Sequence, residues 1–322
     1  MNKRCIPFCF AALLFVVRPA AALELAGPFQ VKNQFPLFLY TDQPYLEPAA
    51  SADSFSVSLS HSSLFVMEDS PAWSAHLDLE LTELNFRYRR TLPGGTELGV
   101  DLPLVRATGG FLDRPLAWYH RASGFPDYNR TSRPDNAFLY EVKRNGMPVV
   151  MGENDKSALG DVRLTAKKQL VADDLLVSVM GTLELPTGDA KAGYGNGSVD
   201  AGVALLMDKH LGQDNLWYAN LGAVFPGDLR GYQTVRLRNY GYFGMGLEAL
   251  AWPSLSVIGQ VSIQTSPYPR TDIGQIDRAA MLLVLGGRYY AERGSYELSL
   301  TEDLNASGAP DFILNLTWKG KW

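Results

Sequence analysis

Beyond residue 9 the chain contains no cysteine, because its only two are Cys5 and Cys9. That absence excludes a disulfide framework and a cysteine-ligated metal from the body of the protein, and it suits passage through an oxidising compartment. Long apolar runs are also missing. The run Ile6 to Val17 is too short to span a bilayer as a helix, and no other stretch approaches the roughly 18 apolar residues a spanning helix needs. Basic charge is scarce as well: 29 Lys and Arg stand against 34 Asp and Glu. An acidic balance argues against nucleic acid as a partner and against an electrostatic grip on anionic lipid.

The first residues carry a processing signal. Lys3 and Arg4 precede the apolar run, and Ala20, Ala21 and Ala22 supply the small residues of a cleavage site. Cleavage after Ala22 is expected. It removes both cysteines together with Lys3, Arg4 and Arg18, and takes the formal charge from −5 to −8. Mean hydropathy near zero fits a soluble protein. It fits a transmembrane barrel equally well, because lipid-facing and lumen-facing residues alternate along each strand.

Pattern separates the two. Phe312, Leu314, Leu316, Trp318 and Trp322 share one face of the last segment, and Asn315, Thr317, Lys319 and Lys321 share the other. Alternation that ends on an aromatic residue resembles the C-terminal signal read by the outer-membrane assembly machinery, with Trp318 and Trp322 as its aromatic positions. Similar alternation recurs in twelve segments: 54–67, 73–91, 96–106, 159–171, 174–187, 197–210, 215–227, 237–252, 254–266, 277–291, 294–304 and 310–322. Each is long enough to cross a membrane at a tilt, which takes about 9–11 residues. One segment breaks phase, since Leu77, Leu79 and Leu81 are followed by Leu84, Phe86 and Tyr88. A β-bulge near Glu83 would restore it.

Connections alternate short and long only if residues 107–158 make no net crossing, so this stretch reads as one external insertion with a helix near Leu112 to Ala122. The expected architecture is all-β: an antiparallel up-and-down transmembrane barrel of about 12 strands, with 14 as the alternative. A soluble β-sandwich or barrel is the competing reading. The expected organisation is a signal peptide at 1–22, a periplasmic segment at 23–53, and the barrel at 54–322. Trp217, Trp252, Tyr289, Tyr296, Trp318 and Trp322 fall at periplasmic ends, and Phe65, Trp73, Phe225, Tyr240, Tyr242 and Phe312 at outer ends, as interfacial girdles would.

Several short motifs resemble known outer-membrane barrels. Leu159-Gly160-Asp161-Val162, Lys167-Lys168, Leu185-Pro186-Thr187-Gly188-Asp189 and Gly195-Asn196-Gly197 are similar to a pattern shared with putative channels of phenol and other aromatic degradation pathways. Three further pieces narrow the match. They are Pro28-Phe29 with Asn33-Gln34-Phe35-Pro36-Leu37, Gly110-Phe111-Leu112-Asp113 before Trp118-Tyr119-His120, and Gly124-Phe125-Pro126 with Arg130. Together they resemble the bacterial domain-of-unknown-function family numbered 3187. Phe35 departs from the pattern, which leads one to expect a polar residue there. The resemblance implies a Gram-negative outer-membrane barrel and supplies no catalytic residues.

Candidate site residues follow from alternation. Arg87, Arg89, Asp101, Arg163, Lys167, Glu184, Asp200, Glu248, Arg288 and Glu297 are expected to point inward. They would form either a selective pore lining or a paired network that fills a narrow interior, since twelve strands fall between filled and open barrels. In the insertion, Asp113, Trp118 and His120 are candidates for a lid or plug, against the alternative of a solvated loop. His76 and Asp78 are expected to share the inward face near the outer rim beside several serines, the one lead to a hydrolase. No metal, nucleotide or haem site stands out, and no cofactor is expected. The expected partners are outer-membrane lipid, lipopolysaccharide, the assembly machinery and a small solute. Three functions remain open: a passive channel or uptake barrel for small solutes, a lipid hydrolase at the rim, and a non-conducting structural or surface-binding barrel.

Overall fold

The structure, a computed structural model, describes residues 26–320 apart from 40, 43, 125–129 and 306. The expected signal peptide and Trp322 lie outside the described residues.

Alternating, β-branched and aromatic sequence produces seventeen strands among the described residues. They are β1 (Ser54–Asp69), β2 (Trp73–Leu92), β3 (Thr96–Thr108), β4 (Leu139–Arg144), β5 (Met147–Met151), β6 (Lys156–Leu159), β7 (Val162–Ala172), β8 (Leu175–Leu185), β9 (Asp200–His210), β10 (Asn215–Phe225), β11 (Leu229–Arg230), β12 (Thr234–Val235), β13 (Tyr240–Trp252), β14 (Leu255–Gln264), β15 (Ala280–Ala291), β16 (Gly294–Asp303) and β17 (Phe312–Gly320). The described residues also form two α-helices, α1 (Asp113–Ser123) and α2 (Gly274–Asp277).

Twelve of the strands close a barrel, and they match the twelve expected segments in order. Each pairs antiparallel with its neighbours in the barrel, and β1 closes the ring on β17 from Phe55↔Gly320 to Ser63↔Phe312. The other five lie in the long connections. β4 continues the edge of β2 beyond its pairing with β3, β5 pairs with β4, β6 pairs with β3, and β11 pairs with β12. Closure of the ring leaves none of its twelve strands with a free edge, which is what a sheet in hydrocarbon requires. By the rule that short turns face the periplasm, the end carrying the β2–β3, β15–β16 and similar turns is the inner one.

The outward band is apolar. Leu59, Leu298 and Leu316 lie abreast on three neighbouring strands, and Leu316 keeps 52% of its surface exposed. Trp252, Tyr289 and Tyr296 form exposed aromatics at the inner end. The outer girdle is different from the expected one. Phe65, Trp73, Tyr240 and Tyr242 are buried, because long connections and an internal segment cover them, while Phe225 is exposed.

Two further expectations are corrected. There is no bulge near Glu83: β2 pairs without a register shift on β1 and on β3 across that position. Leu77, Leu79 and Leu81 therefore point inward, with Asn85, Arg87 and Arg89. They can do so because the outer end of the interior is itself apolar. The segment 23–53, expected in the periplasm, instead runs inside the barrel over its described residues from 26 to 50. Phe29, Asn33, Phe35, Leu37, Phe38, Asp42 and Glu47 are all buried there.

Leu316→Arg places a charge on the lipid face at the middle of β17. It should lower stability by roughly 2–4 kcal/mol, the penalty for a mid-bilayer cation on a barrel, measured by denaturant titration in lipid vesicles. A loss below about 0.5 kcal/mol would contradict a lipid-facing Leu316.

Candidate functional site

The interior is built around the 26–53 segment, here termed the strap. It rises from the inner end, turns near the outer mouth and descends to join β1. On the ascending leg, Lys319 donates to the Ala26 carbonyl and Arg288 to the Gly27 carbonyl. Farther up, the Phe29 N–H donates to Gln260, Lys32 pairs with Glu83 at 2.9 Å, and Asn33 donates to the Gly308 carbonyl at 2.6 Å. The turn is closed by the Phe38 and Leu39 amides donating to the Phe35 carbonyl.

The descending leg is held more densely. Tyr240 donates to the Asp42 carbonyl at 2.6 Å, and Arg163 pairs with the Asp42 carboxylate at 2.8 Å. Asn85 donates to the Tyr45 hydroxyl at 2.7 Å. Asn220 accepts from the Glu47 amide at 2.6 Å and donates to its carbonyl at 3.0 Å. Lys167 donates to the Pro48 and Ala50 carbonyls, and Asp208 accepts from the Ala49 amide. These wall groups satisfy backbone that has no sheet of its own, as buried N–H and C=O groups require.

The wall also leaves room for the strap. A Cβ on Gly244 would stand 2.3 Å from Leu46, and one on Gly202 would stand 2.7 Å from the Asp42 carboxylate. These glycines admit close approach of a second chain segment.

Two ionic clusters dominate. In the first, Arg87, Arg89 and Arg163 from β2 and β7 converge on Asp101 from β3 and on Glu47 from the strap. Asp101 lies 2.6 Å from Arg89 and 3.2 Å from both Arg87 and Arg163. Glu47 lies 3.3 Å from Arg163 and 3.5 Å from Arg89, and it also pairs with Arg87. In the second, Arg288 lies 2.6 Å from Glu248 and 2.8 Å from Glu297, with Tyr218 donating to Glu248 at 2.6 Å. Buried charges persist only when paired and hydrogen-bonded in this way. Lys167 adds a pair with Glu97 at 3.1 Å. Glu184 is buried beside Asp200, which accepts from Asn196 at 2.7 Å.

The outer mouth is apolar. The strap turn brings Phe35 and Phe38 edge to face at 5.2 Å, and Phe38 stacks on Tyr268 at 6.4 Å. Around them pack Leu77 and Leu79 of β2, Tyr140 and Val149 from the insertion, and Ile273 from the connection between β14 and β15.

The family described as "Protein of unknown function (DUF3187)" matches residues 5–322. The chain belongs to the DUF3187 family. Among curated proteins none matches it. A solved structure, the COG4313 outer membrane channel from Pseudomonas putida F1, is 15% identical with a TM-score of 0.56, covering 87% of this chain and 97% of that one. The NanC porin is 8% identical with a TM-score of 0.47, covering 84% of this chain and 100% of that one. The P. putida toluene transporter TodX is 9% identical with a TM-score of 0.43, covering 85% and 92%. The fold of this DUF3187 chain is that of a Gram-negative outer-membrane barrel.

The structure brings the ten expected lumen residues of this DUF3187 protein together on the interior side of the wall. The other expected residues are dispersed. His76 and Asp78 lie on the outward face, because the unbulged strand puts even positions outside. His76 lies 3.0 Å from Asp69, and Asp78 pairs with Arg133 at 2.5 Å, so the two do not form a relay with each other. Asp113 is buried and pairs with Arg130 at 2.7 Å outside the barrel, while Trp118 is 67% exposed on α1. The His120 side chain lies outside the described residues. Trp318 packs edge to face on Phe55 at 6.2 Å.

A different polar trio lies on the outward face. His61 Nδ1 is 2.8 Å from Thr82 Oγ1 and its Nε2 is 2.8 Å from Glu80, while Phe111 stacks on the imidazole at 5.3 Å. Glu80 also accepts from the Phe111 and Leu112 amides. The trio therefore pins the start of the insertion to the barrel wall.

Sequence reasoning missed Lys32, Asp42, Tyr45 and Glu47. A signal was available: charged residues in 26–53 are interleaved with Phe29, Phe35, Phe38 and Leu46, a mixture with no purpose in a solvated tail.

Arg288→Ala leaves Glu248 and Glu297 buried without their cation. The expected cost is about 3–5 kcal/mol, read as a lower midpoint of urea unfolding in lipid vesicles. An unchanged midpoint would contradict the dry, paired cluster.

Proposed function

We propose that this outer-membrane barrel is a passive channel or uptake barrel for small solutes, closed in the described state by its own strap. The observation that carries the reading is the identity of what fills the lumen. Wall side chains pair mainly along the wall, as Arg87 does with Asp101 and Arg288 with Glu297, and more distant parts of the wall are bridged through the strap, as Arg163 and Tyr240 both hold Asp42. A separate, two-legged segment stands between them, held by hydrogen bonds and ion pairs to each side. A barrel meant only as a solid post would fill with wall side chains, as narrow barrels do. A removable filling is what a gated passage requires.

The insertion at 107–158 divides its labour in this reading. Its first half, with α1, sits outside the barrel near β1 and β2. Its second half adds Tyr140, Val142, Val149 and Val150 to the apolar mouth. Closure thus has two parts, an apolar cap and a polar strap. In this reading Asp113, paired with Arg130, and the exposed Trp118 belong to the outer half and stand apart from the gate.

Three preparations separate the parts: the full mature chain, a chain lacking 26–50, and a chain lacking 138–151. In planar bilayers the full chain should show small or rare openings. Removal of 26–50 should give sustained conductance, and removal of 138–151 a smaller gain. If the strapless barrel folds yet passes no current, the channel reading fails and a non-conducting structural barrel takes its place.

A further inference from the structure

The geometry points to a ligand class for the lumen, and the inference rests on the channel reading above. We infer that the Arg87, Arg89 and Arg163 cluster is a binding site for a small aromatic carboxylate, and that the strap residues Tyr45 and Glu47 occupy it as a tethered stand-in for that solute.

Charge is the first argument. The three guanidinium groups come from the wall, and of the carboxylates that meet them only Asp101 does. Asp42 and Glu47 belong to the strap. When the strap withdraws, the three guanidinium groups keep one carboxylate in ion-pair contact, Asp101, and the place of Glu47 is open to another anion. The strap carries its carboxylate on a backbone fixed at both flanks by Asn220 and Lys167. Arg87 Nη1 is buried and finds no hydrogen-bond acceptor. The cluster therefore holds more donor capacity than the strap uses. A free carboxylate, not tied to a chain, can take the fork of an arginine with both oxygens.

The second argument is the ring. Tyr45 lies two residues before Glu47, and both side chains reach the same cations. Arg87 lies 4.5 Å and Arg163 5.4 Å from the centre of the Tyr45 ring, with Lys32 at 5.7 Å. A ring held by guanidinium groups beside a carboxylate held by the same groups is the recognition pattern of an aryl acid. The phenol hydroxyl is met as well, by Asn85, so a hydroxylated ring also fits. An aliphatic acid would satisfy the forks and leave the ring contacts unmade.

Binding of benzoate tests this, by titration calorimetry on the full mature chain in detergent, with benzamide and cyclohexanecarboxylate as comparisons. Benzoate should bind about tenfold or more tighter than benzamide, since the neutral amide loses charge-assisted hydrogen bonds. Benzoate should also bind more tightly than cyclohexanecarboxylate. Glu47→Gln weakens the stand-in, so it should raise benzoate affinity, and Glu47→Gln combined with Arg89→Gln should lower it again. The folded barrel is verified for each variant by its faster gel migration before heating. If a variant does not fold, the benzoate-to-benzamide ratio on the unaltered chain decides. Equal binding of benzoate and benzamide overturns the carboxylate site. Equal binding of benzoate and cyclohexanecarboxylate overturns the aromatic assignment. Failure of the channel reading is distinguishable: benzoate would bind in the expected order while the strapless barrel stayed non-conducting.

Discussion

Every feature of this molecule follows from the closure of one sheet in a medium that cannot hydrogen-bond. In hydrocarbon each unpaired backbone group costs several kcal/mol. The chain answers with twelve antiparallel strands and a seam between β1 and β17. Once the ring is closed, side-chain direction is fixed by parity. Leu316 must face lipid and Asn315 must face the interior, whatever each residue would prefer alone. The wall of one solvent and the lining of another are thus written on alternate residues of the same strand.

Closure also creates a problem that closure cannot solve. Twelve strands enclose more space than short side chains can fill and less than a wide aqueous pore needs. The interior charges follow from this intermediate width. Left facing a void, Arg87, Arg163 and Arg288 would be poorly solvated. Packed only against one another, they would repel. The strap resolves both difficulties by supplying Glu47 and Asp42 to the first group and backbone carbonyls to Arg288 and Lys319. The glycines at 202 and 244 mark where the wall thins to admit it.

The wall was legible in the sequence and its contents were not. Period-2 alternation, strand length and the parity of short and long connections specify twelve strands, and they keep β4 out of the count although its sequence alternates too. Alternation says only that two faces differ. It does not say which face is wet, and that is why Leu77, Leu79 and Leu81 suggested a bulge. They are inward residues at a level where the interior is sealed by Phe35, Phe38 and Tyr140. The ten lumen charges were legible because a charge on a lipid-facing position is costly. Their partners Asp42 and Glu47 were not, because the described residues of the strap form no helix or strand and show no period. Its contacts join positions distant in sequence, from Glu47 with Arg87 to Asp42 with Arg163, and nothing local in the chain encodes them. His61, Thr82 and Glu80 were hidden for the same reason: they meet only once the register of β1 on β2 is set.

The chemistry of the strap bears on how it could leave. An apolar plug would be bound by the water it excludes, and its release would expose apolar surface on both sides. Much of this strap is held otherwise. Below the Phe35–Phe38 turn, many of its contacts are hydrogen bonds and ion pairs, which water or a solute can replace one for one at modest net cost. Phe29 and Val31 pack with Ile258 and Val284, and Ala49 with Leu206, but the largest apolar anchor is the turn, at the outer mouth, where an incoming solute arrives first. A solute that loosens the mouth meets next a segment whose contacts it can imitate. In the proposed channel, entry and opening would then be parts of one event, with the energy of the second supplied by the contacts the solute takes over.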